Sequence, residues 1–104
     1  MPQITQIQVT ATDNELYILV LGVENTSEIC HLKSGNFRSV DYIISPQAIL
    51  PPGAYTLIFI GINWGGPCIF TVVLTPSTGT PITVSGGSGL PTGGVWSKAM
   101  AITV

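Results

Sequence analysis

The sequence predicts an all-β fold, an antiparallel β-sandwich of about eight strands and of Greek-key type. Three observations lead there. Turn residues recur at short intervals, as a chain of short strands requires. Apolar and polar residues alternate with a period of two in several segments. A Pro-Pro-Gly-Ala-Tyr corner stands near the middle of the chain. With 104 residues there is room for one core, so 1–104 is read as a single domain.

The first strand is expected over residues 4–12, where Ile7, Val9 and Ala11 alternate with Gln8, Thr10 and Thr12. Asp13 and Asn14 tolerate turn geometry and are predicted to reverse the chain. Residues 16–23 are apolar on both faces and read as a central strand. Asn25-Thr26-Ser27 is the next predicted turn. It matches the N-glycosylation pattern, which is short enough to occur by chance. Residues 29–32 and 37–45 form two further strands around Lys33-Ser34-Gly35-Asn36, with Val40, Tyr42 and Ile44 on one face. Pro46 limits residues 47–50 to a corner or a short edge strand.

Residues 55–63 read as another central strand. Tyr55, Leu57 and Phe59 face one way, and Ile58, Ile60 and Ile62 the other. Asn63-Trp64-Gly65-Gly66-Pro67 is a hairpin loop, and residues 68–75 return with Phe70, Val72 and Leu74 together. Residues 81–85 make a short edge strand. Residues 86–94 form a Gly/Ser/Pro/Thr loop, in which Gly-Gly-Ser-Gly at 86–89 also has the composition of a linker. Residues 95–104 close the chain, with Trp96, Met100, Ile102 and Val104 on one side. No helix is predicted.

Leu50-Pro51-Pro52-Gly53-Ala54-Tyr55 is the most specific local signal. Proline pre-sets the backbone and glycine admits a positive φ, so the chain turns sharply just before a strand. The arrangement resembles the tyrosine corner of Greek-key sandwiches, in which a Tyr near a strand start bonds upstream backbone through its hydroxyl. It covers about ten residues and supports architecture rather than family membership.

Charge is sparse. Only 8% of residues are charged, against about 25% in ordinary domains, and the net charge is -2. Lys98 is the sole charged residue after Asp41. This balance excludes a nucleic-acid footprint. A surface wetted by Thr, Ser, Asn and backbone groups fits neutral partners: sugars, lipid headgroups or copies of the chain itself. A low-charge surface with no partner is the plainer alternative. No apolar run reaches the length of a membrane span. Residues 1–6 show no basic stretch followed by an apolar one. The expected location is therefore the cytoplasm, or outside it by a non-classical route, although a mature product would have lost a signal.

The inventory for catalysis is thin. His31 is the only histidine, and strand alternation sends it and Cys30 to opposite faces. No enzyme activity, catalytic residue, metal or cofactor is expected. Three Cys and His residues are too few for a structural zinc site. Asp13, Glu15, Glu24 and Glu28 flank turns in a manner ordinary for solvated carboxylates. Cys30 and Cys68 are expected as reduced, buried thiols, with an inter-sheet disulfide as the alternative.

Asn63, Trp64, Gly65 and Gly66 are the candidate ligand-binding residues. A Trp on an uncharged loop suits stacking on an apolar sugar face, with the Asn63 amide beside it as donor and acceptor. The same Trp could dip into a membrane interface or cap the core. Trp96 reads as core or subunit interface. The leading expectation is a lectin-like carbohydrate-binding protein acting as a homo-oligomer. A structural, self-assembling protein is the alternative, and a lipid-binding or toxin-like module is the third.

Overall fold

The structure is a computed structural model that describes residues 2–23, 25–34 and 39–104. Seven strands form one antiparallel, curled sheet: β1 (Ile4–Leu21), β2 (Thr26–Ser34), β3 (Ser39–Ile44), β4 (Ala54–Ile62), β5 (Ile69–Pro76), β6 (Ile82–Gly86) and β7 (Val95–Thr103). The order along the main path is β6-β5-β1-β4-β7, with β2 and β3 also paired to β1. The all-β expectation holds, and the observed form is this seven-stranded half-barrel.

β1 organises the molecule. Its first half pairs with β3 and β5, and its second half pairs with β2 and β4. The two strands expected at 4–12 and 16–23 are therefore one strand. Asp13 and Asn14 mark an exchange of partners, not a turn: Asp13 pairs with Ile69 of β5, and Asn14 with Ser34 of β2. The registers shift between Val9 and Ala11. An extra residue in one strand reverses the parity of its alternation. Before the shift Ile7 and Val9 are buried; after it Leu16, Ile18 and Val20 are.

Two other expectations change. Thr26 and Ser27 begin β2 instead of turning the chain. Residues Pro46–Ile49 form one helical turn, whose Leu50 N–H donates to the Pro46 carbonyl over 2.8 Å. Phe37 and the turn residues Gly35 and Asn36 lie outside the described residues.

The concave side holds the core. Leu57, Phe59, Phe70, Val72 and Leu74 are fully buried there with Ile7, Val9, Leu16 and Ile18. Trp96 lies over Phe70, with ring centroids 5.7 Å apart and planes within 5°, and near Phe59 at 6.3 Å. Two strand glycines permit this packing: a Cβ on Gly61 would enter the Phe70 ring, and one on Gly86 the Trp96 indole. Cys30 and Cys68 are free and buried, in agreement with the reduced-thiol reading.

The convex side differs between the two wings. On the wing of β3, β5 and β6 it mixes polar Gln8, Thr71, Thr83 and Ser85 with Ile43 and Val73, both paired with Gln8. Gln8 Nε2 donates to Asp41 Oδ1 over 2.7 Å, and Thr5 Oγ1 to the Thr75 carbonyl over 3.0 Å. On the wing of β2, β4 and β7 it carries Tyr17, Leu19 and Leu21 of β1 in register with Ile60, Ile58 and Thr56 of β4. Val95, Ser97, Ala99 and Ala101 of β7 continue these rows.

The tyrosine corner is present as local geometry. The Tyr55 hydroxyl donates to the Pro51 carbonyl over 2.7 Å. Gly53 and Val104 exchange backbone bonds of 2.9 and 2.8 Å, which ties the corner to the end of the chain.

Candidate functional site

Trp64 is separated from β4 by Asn63 alone and is 60% exposed, yet it is held at two points. Its backbone N–H donates to Asn14 Oδ1 over 2.7 Å. Its indole Nε1–H donates to Glu15 Oε1 over 2.8 Å. The next residue, Gly65, donates its N–H to Asn14 Oδ1 and Asn63 Oδ1 at 3.2 and 3.0 Å. The indole is thus fixed at its polar edge while much of its surface meets solvent.

The other three sequence-predicted residues build the loop under it. Asn63 is 1% exposed. Its Nδ2 donates to the carbonyls of Gly66 and Leu90 at 3.0 and 2.8 Å. Its backbone bonds Gly93 and Gly94. The Asn63 amide therefore joins two loops and is not turned outward beside Trp64. Gly66 has φ +75°, a left-handed conformation that side-chain-bearing residues rarely adopt. Gly65 supplies the N–H noted above.

Glu15 is the centre of the site, and sequence reasoning placed it at a solvated turn. Because Asp13–Asn14 continues the strand, Glu15 lies within β1, 4% exposed. Strand pairing sets Lys33 of β2 on one side of it and Ile62 of β4 on the other. Its Oε2 is bonded by His31 Nε2, and accepts the Tyr17 hydroxyl at 3.0 Å; Lys33 Nζ is 3.9 Å away. Tyr17 and His31, opposite each other in register, stack with centroids 4.1 Å apart. His31 Nδ1 stands 3.9 Å from Glu28 Oε1.

This ring of donors acts on the carboxylate. The His31 and Trp64 bonds outweigh the cost of burial and, with Tyr17 and Lys33, hold the Glu15 pKa down to about 2. The same bond raises Tyr17, because its hydroxyl serves an anion as a proton donor. Glu15 stays ionised at neutral pH and anchors three aromatic rings. Among the described residues, no group of three His, Cys, Asp or Glu side chains is placed to hold a metal ion.

The sequence singles out Trp64, whose exposure the structure shows, and gives no local sign that Asn14, Glu15, Tyr17, His31 and Lys33 gather beside it. The Glu15/Tyr17 spacing of two residues does put both on one strand face. Their meeting with His31 and Trp64 depends on pairing register across β2 and on the loop after β4.

The chain matches no protein-family model, and no curated protein or solved structure shows significant similarity to it. Fold and site together define an all-β protein with a carboxylate-anchored aromatic cluster at one end of a curled sheet. No helix is long and apolar enough to cross a membrane among the described residues.

Proposed function

We propose that the protein is a non-enzymatic, lectin-like module that binds neutral carbohydrate at the Trp64 end of the sheet. One observation carries this reading: a large aromatic is exposed to 60% yet held by bonds from both its backbone and its ring nitrogen. A ring fixed before binding loses little conformational freedom on contact, so stacking on the C–H face of a sugar retains more of its energy. Tyr17, His31 and Lys33 stand around the same carboxylate and supply polar groups at the ring's margin. A glycan array on the purified protein tests the reading, with Trp64→Ala as the matched control. Binding by the wild type and at least a tenfold loss in the variant support it. Absence of binding to any neutral glycan, or equal binding by both proteins, refutes it.

A second reading has its own support. Over β4 and β7 the convex face is aliphatic, carrying Leu19, Leu21, Ile58, Ile60, Val95, Ala99 and Ala101, whereas solvated antiparallel faces are ordinarily polar; Glu15, His31 and Lys33 bound it on the β2 side. Leu21 and Val95 on that face are 38% and 57% exposed. In this reading two copies pack through that face, with Leu19, Ile58 and Ile60 at the centre of the contact. It keeps the self-assembling alternative, and multiple copies also raise the avidity of weak sugar sites. Ala99→Lys adds a charge to an exposed position there without removing core volume. Light scattering decides: a dimer that the substitution dissociates supports the reading, and a wild-type monomer at about 100 μM refutes it.

A further inference from the structure

The curled sheet leaves β6 and β7 as the two ends of its main path. Between them lies a groove of about 570 Å3, lined by Ile82, Val84, Trp96, Lys98 and Met100 with the backbone beside them. Its floor is apolar: Val84 is buried, and Trp96 and Met100 pack against the core. The volume falls in the range of small-molecule sites, about 300–1,000 Å3.

Lys98 is out of pattern here. It pairs across the sheet with Phe59, which is fully buried on the concave side. Alternation therefore places Lys98 on the core-facing row of β7, between Trp96 and Met100. It is the only charged residue in that row and the only one in the chain after Asp41. No carboxylate among the described residues makes an ion pair with it. A long aliphatic stem from this row can lie along the apolar floor while the ammonium reaches the groove mouth.

We infer that the β6/β7 groove binds an amphipathic carboxylate, an aliphatic chain ending in a carboxyl group. The chain lies over Val84, Met100 and the Trp96 ring, and the carboxylate meets the Lys98 ammonium. From Trp96 to Met100 the strand rises about 13 Å, the scale of a medium-length acyl chain. The charge selects the class: a neutral chain of the same length gains the apolar contacts and lacks the ion pair. This site is distinct from the Trp64 end and independent of the carbohydrate reading.

An inward-pointing lysine on an edge strand also blocks pairing with another edge. That role needs no ligand, so the experiment separates the two. Sodium decanoate below its micelle concentration is titrated into the full chain by calorimetry. Trp96 fluorescence is followed in parallel in a Trp64→Phe background. Decan-1-ol serves as the neutral probe, and Lys98→Gln, at an exposed position, as the variant. The inference expects saturable decanoate binding with a change in Trp96 emission. It expects about tenfold weaker binding of decanoate by Lys98→Gln, with decan-1-ol binding unchanged. Failure of decanoate to saturate, or equal affinity in Lys98→Gln, overturns it. Self-association of Lys98→Gln in a protein indifferent to decanoate also overturns it, and assigns Lys98 to edge protection.

Discussion

At Glu15 one buried carboxylate meets three side-chain donors, and its ionisation is tied to folding. Its folded pKa of about 2 lies below the ordinary value of 4.5, so its contribution to stability is present above about pH 4.5. That contribution is lost as pH falls from there through about 2. Glu15→Gln removes the titrating group, so thermal melts from pH 5 to pH 2 should show a shallower decline than the wild type. At pH 7 the same variant should lose about 2 kcal/mol, the scale of charge-assisted hydrogen bonds. Thr12 presents the opposite case. Its side chain is fully buried and its hydroxyl has no hydrogen-bond partner among the described residues. Thr12→Val keeps the shape and removes the unsatisfied group, so it should raise the melting temperature, by about 1 kcal/mol of stability. Neither residue declared its role in sequence: a Glu after Asp-Asn reads as solvated, and a Thr in alternation reads as outward. The register shift between Val9 and Ala11 turned Thr12 inward, and strand continuity buried Glu15.

Among the elements, the strands were legible and their boundaries largely so. β4 through β7 start and end within a residue or two of the expected positions, because each is bounded by Pro, Gly or Asn and carries clear alternation. The corner before β4 was legible in chemical detail, down to the Tyr55 hydroxyl. Tyr55→Phe should cost about 1 kcal/mol, seen as a fall of several degrees in melting temperature. β4 also depends on Gly61, whose missing side chain makes room for Phe70 of β5. Gly61→Ala should destabilise by about 1–3 kcal/mol in urea unfolding, as overpacking does. β1 and the limits of β2 were misread: nothing local distinguishes a change of partners at Asp13–Asn14 from a turn, and Thr26, Ser27, Lys33 and Ser34, expected in turns, lie within β2.

Across the molecule, burial governs the two thiols. Cys30 is pushed up to about pKa 11 by burial and by Glu28, and burial raises Cys68 as well. A thiol attacks disulfide reagents only as thiolate, so both should be inert to an aromatic disulfide at pH 8 in the folded protein. Both should react promptly in 6 M guanidinium chloride; fast reaction of either in the native state would contradict the packing. The strand edges carry features that discourage pairing: β6 is five residues long, β7 has Lys98, and β2 has Glu28, His31 and Lys33. The convex face of β4 and β7 is the aliphatic surface available for association.

The all-β class, the exposed Trp64 and the buried cysteines followed from short-range information: turn residues, a period of two, and the scarcity of charge. Those signals act over a few residues, so a chain read in order contains them. The curl of the sheet, the Glu15 cluster and the β6/β7 groove depend on contacts between residues far apart in the sequence, 49 positions for Glu15 and Trp64 and 72 for Ile4 and Pro76. Register across strands decides such contacts, and one shifted residue reverses which face a side chain occupies. Trp64 is thus recognisable as an exposed aromatic from its loop alone, while the carboxylate that holds it is placed by the continuity of β1 through Asp13 and Asn14.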